Sequence, residues 1–248
     1  MKIFIADTYE AKSKQAADDV IQLMQSIKDP LICTASGHSP AGLYKEFADR
    51  VNQKHLDISD WYFVGLDEWV GLNGGNDGSC RHHLDHDLFR PLAVDNNKIC
   101  FFDGRAENLQ IECERTDEFI RQHGGIDVAI LGLGMNGHVG MNEPGTSPAL
   151  HSHVTDLDPI TQKVGQKYFK KQQQLTQGIT LGLATLMETR HVFLLVSGHK
   201  KAEIVKRILE EEISEQLPAT LLRRHNGLRI YLDKEAAHLV QSKYSYDQ

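Results

Sequence analysis

Residues 126–144 read IDVAILGLGMNGHVGMNEP, and this stretch decides the architecture. It opens as a short apolar run from Ile126 to Gly132, the pattern of a strand buried within a sheet. It then breaks into glycines at positions 132, 134 and 137, so the chain leaves the strand through a loop whose backbone can approach a ligand closely. A histidine and a glutamate follow inside that loop, at His138 and Glu143. Working outward, the same alternation repeats along the chain. Short apolar runs at Met1–Ala6, Leu31–Ala35, Trp61–Leu66, Ile99–Phe102, Val192–Ser197 and Leu228–Leu232 read as strands. Between them, helical spacing marks Lys12–Ser26, the segment from Pro40 toward Val51, Cys80–Phe89, Leu109–His123, Gly178–Met187 and Lys201–Glu212, with a short helix after the last strand. Strands alternating with helices predict an α/β fold, a doubly wound, mainly parallel sheet with helices on both faces. Ligands then bind outside the carboxyl ends of the strands. There is no internal repeat and no Pro/Ser-rich linker, so residues 1–248 are expected to form a single domain. The least regular stretch, Pro144–Asp158, is either a mobile lid or a long surface loop.

Composition narrows the function. The 248 residues carry 27 Lys and Arg against 34 Asp and Glu, a net charge of −7. An acidic chain without a basic run argues against a nucleic-acid or anionic-membrane surface. No apolar stretch approaches the ~18 residues that span a bilayer, and the start of the chain lacks the pattern of a secretory signal. Cys33, Cys80, Cys100 and Cys113 form no CxxC pair and are too sparse for a disulfide scaffold, which predicts reduced thiols in a cytoplasmic protein. Cys33 reads as an inert core thiol. Cys80 lies beside Arg81, His82 and His83, which could lower a thiol pKa, although a structural role is the simpler reading.

Three constellations fall at strand ends. The first is Ser36-Gly37-His38-Ser39-Pro40, where a strand stops, a glycine turns the chain and a helix begins. First-turn amides with serine hydroxyls make a cradle for a phosphate. It is neither a Walker A loop nor a GxGxxG fingerprint, and Ser39 capping its own helix explains it about as well. The second is the carboxylate pair Asp67-Glu68. In extended chain the two point to opposite sides, so one can face a pocket as a base while the other bonds backbone or a cation; the bland alternative is a turn with a solvated Glu68. The third is His138 with Glu143, an imidazole suited to proton transfer at neutral pH and a carboxylate able to fix its tautomer. Of the 13 histidines, His82 and His86 have the i, i+4 spacing of a zinc pair. Without HExxH or a third ligand, an exposed helix face is the better reading. His151 and His153 are equally poor ligand candidates, and no metal site is expected.

Taken together, Leu66–Leu72 (LDEWVGL) and Gly132–Pro144 (GLGMNGHVGMNEP) resemble the glucosamine-6-phosphate deaminase/isomerase family, relatives of the 6-phosphogluconolactonases. The turn at Ser36–Pro40 and Gly178–Leu183 (GITLGL) agree in order and spacing, so the resemblance spans nearly the whole chain. The LDEWV, NGH and QGITLGL forms look closer to the galactosamine-6-phosphate branch. The resemblance implies a modified Rossmann-like fold with a lid within residues 144–175. It also implies an enzyme that opens a hexosamine-6-phosphate ring, moves a proton between C2 and C1, and releases ammonia. On the galactosamine branch the product is tagatose 6-phosphate; on the glucosamine alternative it is fructose 6-phosphate.

Carried over by motif position, Asp67 is the base, His138 the acid/base for ring opening and Glu143 its carboxylate partner. The phosphate falls to Ser36, Gly37, His38, Ser39 and Lys201, and Lys167 stands where the family has a lid arginine, keeping a cation without bidentate geometry. Asn136 stands where the glucosamine enzymes carry aspartate. It cannot supply charge to an imidazolium but can orient the ring through a hydrogen bond. No metal or organic cofactor is needed. The expected partner is a small sugar phosphate, with a homo-oligomer left open. Three rivals are weaker, one of them a non-catalytic sugar-phosphate-binding paralogue for which Asn136 speaks. A gluconolactonase would carry a DGHTASLFP-like stretch in place of NGHVGMNEP, and a sugar-phosphate-sensing regulator would carry a helix-turn-helix ahead of the first strand. An acidic chain that binds an anionic sugar must attract it locally, through a helix N-terminus and Lys167 and Lys201.

Overall fold

The seven apolar runs become strands and three more join them, making ten among the described residues: β1 (Lys2–Ala6), β2 (Leu31–Thr34), β3 (Tyr62–Gly65), β4 (Asp67–Trp69), β5 (Ile99–Cys100), β6 (Val128–Gly132), β7 (His153–Asp156), β8 (Gln177–Thr180), β9 (His191–Val196) and β10 (Leu228–Asp233). This computed structural model describes residues 1–240; residues 241–248, the end of the expected unit, lie outside the described residues. Seven strands form one sheet in the order β1-β10-β9-β6-β2-β3-β5, and every pairing in it is parallel. The strand around which the sequence reading was built, β6, lies in the middle, between β2 and β9. From β2 the chain winds outward to β3 and β5, then returns to β6 and winds the other way. The order therefore reverses between β2 and β6, where a crevice opens at the carboxyl ends.

Seven α-helices accompany the strands: α1 (Tyr9–Met24), α2 (His38–Lys54), α3 (Cys80–Leu84), α4 (Leu109–Gln122), α5 (Pro159–Gly165), α6 (Leu183–Glu188) and α7 (Ala202–Glu210). Side chains alternate along each strand and so divide the core into two layers. Val128 and Ile130 of β6, with Phe193 and Leu195 of β9, pack under α1 and α2. Ala129, Leu131, Val192, Leu194 and Val196 point the other way, into a layer completed by Ile204, Val205 and Ile208 of α7 and Leu186 of α6. Both faces of the central strands are thus covered, which is why they read as unbroken apolar runs.

Three expectations need correction. The short helix expected after β10 is a run of turns over residues 234–240. Gly178–Met187 does not form one helix. Its first half is β8, paired antiparallel with β4 and β7, and only Leu183–Glu188 is helical. The reason is steric and tertiary. A Cβ on Gly178 would lie 1.9 Å from the Met141 sulfur, and one on Gly182 would lie 2.0 Å from the Leu150 carbonyl oxygen, so both glycines serve close packing. Leu181, Leu183 and Leu186 produced the helical spacing, but Ile179 and Leu181 are buried from an extended segment. The irregular stretch Pro144–Asp158 likewise contains β7. The result is a second, three-stranded sheet, β4-β8-β7, lying across the end of the first. It positions the carboxylate pair, because Asp67 and Glu68 open β4. The helix expected over Cys80–Phe89 is present, but after Leu84 it widens into a π turn over Asp85–Phe89.

Candidate active site

The carboxyl ends of β2, β6 and β9 and the start of β4 converge. At the end of β2 the chain turns through Gly37, whose φ of 121° favours glycine, and enters α2 at His38. Pro40 sits in the first turn, where its missing N–H costs nothing. No side chain caps this helix, so the alternative that Ser39 serves as its own cap is set aside. The first-turn amides carry the positive end of the helix dipole toward the crevice.

At the start of β4 the two carboxylates diverge as the strand geometry predicts. Glu68 is buried and accepts the amides of Trp69 and Cys80 at 2.9 Å and of Arg81 at 3.0 Å. It is therefore a brace for the start of α3, not a solvated side chain. Burial pushes its carboxyl up to about 7 despite those three bonds. Asp67 faces the crevice. Burial lifts its carboxyl to about 6, against the opposing effects of a Cys80 hydrogen bond and the positive charge of His138. A carboxylate in that range is ionised at neutral pH yet basic enough to take a proton. The Cys80 thiol lies near both Ser36 and Asp67. Burial drives that thiol well above its ordinary pKa, so the neighbouring Arg81, His82 and His83 do not activate it. All four cysteines are buried and free.

At the end of β6 the glycine loop holds a compact polar group. His138 Nδ1 lies 3.2 Å from Glu143 Oε2 and 3.0 Å from Thr161 Oγ1. Asn136 donates to the same Glu143 oxygen at 2.8 Å, and its own oxygen accepts the His138 backbone N–H at 3.2 Å. Asn136 therefore steadies the carboxylate and the main chain, and does not bond the imidazole ring as expected. The spacing of glycines has a steric cause here: a Cβ on Gly134 would lie 2.3 Å from His138 Cδ2, so only glycine lets the ring lie over that turn. Burial pushes the Glu143 carboxyl up, but the His138 bond and charge, Thr161 and Asn136 outweigh it and hold it below the ordinary range. Glu143 thus stays ionised, fixes a proton on Nδ1 and leaves Nε2 as the exchanging nitrogen.

The cations stand at the other end. Lys201 donates to the Leu133 carbonyl oxygen at the head of the glycine loop. Burial and the nearby charge of Lys167 pull its ammonium down to about 8, and burial lowers Lys167 as well. Two facing ammoniums favour an anion between them. A cavity of about 410 Å³ lies at this end, with Gly37, His38 and Lys167 in its wall. The structure thus gathers Asp67, Asn136, His138 and Glu143 at one end and Ser36–Ser39, Lys167 and Lys201 at the other. The His38 ring is turned away onto Tyr9, with centroids 4.9 Å apart. His82 faces Asp77 at 3.7 Å and His86 faces Asp87 at 2.8 Å, each with its own carboxylate. His151 contacts Glu188 at 3.1 Å and His153 the carbonyl of His151 at 2.9 Å. Among the described residues no cluster of three His, Cys, Asp or Glu is placed to hold a metal. No helix among them is long and apolar enough to cross a membrane.

Two contacts had no signal in the sequence. Thr161 of α5 reaches His138, and the Tyr168 hydroxyl comes within 3.1 Å of where a Gly37 Cβ would stand. Both come from the stretch, residues 144–175, that the resemblance assigns to a lid.

Comparison with known proteins agrees in one direction. The family model described as glucosamine-6-phosphate isomerases/6-phosphogluconolactonase matches residues 6–231. A glucosamine-6-phosphate deaminase of Clostridium perfringens is 35% identical over 242 residues, covering 97% of this chain and all of its own. One from a Geobacillus species is 34% identical over 241 residues, covering 97% and 96%. A solved glucosamine-6-phosphate deaminase, described as monomeric, superposes with a TM-score of 0.93 at 31% identity, over 96% of this chain and all of that one. A 6-phosphogluconolactonase from Thermotoga maritima superposes with a TM-score of 0.75 at 19% identity, over 94% and 98%, a likeness of fold alone.

Proposed function

We propose a reaction for this chain from a firm premise: it belongs to the glucosamine-6-phosphate isomerase/6-phosphogluconolactonase family. Within that family it is an enzyme, a hexosamine-6-phosphate deaminase acting on a small sugar phosphate. The observation that carries the reading is the pairing of two proton carriers across one crevice. His138 is fixed by Glu143, and the half-buried Asp67 lies within reach of the His138 charge.

The phosphate sits on the first-turn amides of α2 with Ser36 and Ser39, between Lys167 and Lys201, and remote binding there positions the sugar. His138 Nε2 gives a proton to the ring oxygen as the C1–O5 bond opens, leaving an aldehyde at C1. Asp67 removes the proton from C2 and returns one to C1. The resulting imine at C2 takes up water and loses ammonia, so that hexosamine 6-phosphate and water become ketose 6-phosphate and ammonia. Asn136 holds Glu143 in place, and Glu143 alone supplies the charge that stabilises the imidazolium. Residues 144–175 act as the lid, a role supported by Thr161 touching His138 and Tyr168 lying against Gly37. Because the site draws on positions from Ser36 to Lys201, the chain works as one domain.

The substrate we assign is glucosamine 6-phosphate, giving fructose 6-phosphate, because relatives matched over their whole length carry that activity in their names. Galactosamine 6-phosphate, giving tagatose 6-phosphate, is the second reading. It is favoured by Asn136 at the place of an aspartate and by the forms of LDEWV and QGITLGL. Ammonia release measured with both epimers tests this directly. Faster turnover of the galacto epimer reverses the substrate assignment, and no release from either overturns the reaction.

A further inference from the structure

Lys12 is a buried cation that the reaction leaves unused. It lies on α1, is 1% exposed, and its Nζ donates to the Ser39 carbonyl at 3.0 Å and to Ser197 Oγ at 2.6 Å. The same ammonium stands 4.5 Å from the centre of the Tyr9 ring. None of these partners is charged. Asp233 favours the charge from a distance, but its carboxylate accepts the amides of Gly198 at 3.0 and 3.1 Å and of Ala236 at 2.8 Å. Among the described residues no carboxylate pairs with Lys12. An ammonium removed from water without an anion in contact is costly, and burial draws its pKa down to about 8, so it remains charged at neutral pH.

Its two hydrogen-bond partners show where that charge is directed. Ser39 lies in the first turn of α2, and Ser197 follows β9 on the way to Lys201. Both loops border the phosphate end. Tyr9 braces the same turn, donating to the His38 carbonyl at 2.6 Å and accepting the Gly42 amide at 2.7 Å. Helix α1 therefore supports the cradle from behind and carries an unanswered positive charge to it.

We propose that Lys12 is a third cation of the phosphate end, a positioning residue behind the cradle whose charge is balanced by the phosphate of the bound sugar. It touches the ligand through Ser39 and Ser197, not directly. Set in a layer of low polarity, its field reaches the anion with less screening than a surface lysine would give. This inference rests on the reading that the cradle binds a 6-phosphate.

Two variants test it. Lys12→Gln keeps a donor for the Ser39 carbonyl but removes the charge; Lys12→Met removes both. Both are expected to raise KM for the hexosamine 6-phosphate, and Ki for inorganic phosphate, about tenfold with kcat held within about twofold. Wild-type KM and Ki in Lys12→Gln would show that Lys12 is only a brace and would overturn the proposal. Failure of both variants to fold would do the same, by showing that the ammonium holds up the fold. Thermal stabilisation by inorganic phosphate, measured on wild type and variants alike, does not depend on turnover. A wild-type protein that phosphate stabilises but that releases no ammonia refutes the reaction and leaves Lys12 under test. Equal stabilisation of wild type and variants refutes Lys12 alone.

Discussion

At one end of the crevice Asn136, His138 and Glu143 hold one another by side-chain hydrogen bonds, and burial alone lifts Asp67. At the other end the groups are main-chain amides and two lysines that repel each other until an anion arrives. The first end is ordered before any ligand binds, and its value lies in proton affinity. The second is electrostatically incomplete, and its value lies in binding. Damage to the first should therefore lower kcat with binding preserved, and damage to the second should raise KM with chemistry preserved.

The largest effect is expected for Asp67→Asn, which removes the proposed base: kcat falls about 10³-fold while the dissociation constant for the sugar phosphate stays within about threefold. A comparable loss of binding, seen by calorimetry, would break the division between the two ends. The same variant should be more stable. Folded Asp67 titrates near 6, above the ~4 of an unfolded carboxylate, so its ionisation costs stability as pH rises through that window. Asparagine escapes that cost, and Tm at pH 7 should rise by roughly 2–4 °C. Next is Glu143→Gln, which deprives the imidazolium of its hydrogen-bonded carboxylate; kcat should fall about 10²-fold with KM little changed. In the wild-type protein kcat/KM should drop about tenfold for each pH unit below 6, as Asp67 takes up its proton, and level off above. A flat profile between pH 5 and 7 would remove Asp67 as the base. At the other end Lys201→Met should raise KM about tenfold with kcat preserved. The smallest effect is expected of Lys167→Arg, which restores a bidentate grip and should lower KM by about two- to threefold.

The strand ends were legible in the sequence because apolar runs and glycine breaks are local signals. Gly37, the His138–Glu143 spacing and the opposite facing of Asp67 and Glu68 all follow from neighbours along the chain. The fold class followed from alternation, and the central place of β6 is consistent with its unbroken apolar run. The second sheet was not legible. Gly178-Ile179-Thr180 is extended because it lies between β7 and β4, the latter more than a hundred residues away in sequence. Thr161 and Tyr168 escaped notice for the same reason, since nothing around them marks a residue that will meet His138 or Gly37. Lys12 is the sharpest case. On a helix it reads as one polar position among several, and only the packing of α1 against α2 shows that it is buried. Asn136 was expected to orient the imidazole, but its bond to Glu143 rather than to the ring depends on loop geometry.

The edge strand β1 has one neighbour in its sheet, β10, with Lys2 paired to Arg229 and Ala6 to Asp233. During synthesis β1 must therefore wait for β10. Until β10 leaves the ribosome, β1 has unpaired amides and carbonyls, and Phe4 lacks the Tyr231 ring on which it stacks. The bond from Lys12 to Ser197 also has to wait, until β9 is in place. A truncated or stalled chain would present an open sheet edge and an unfinished anion cradle together.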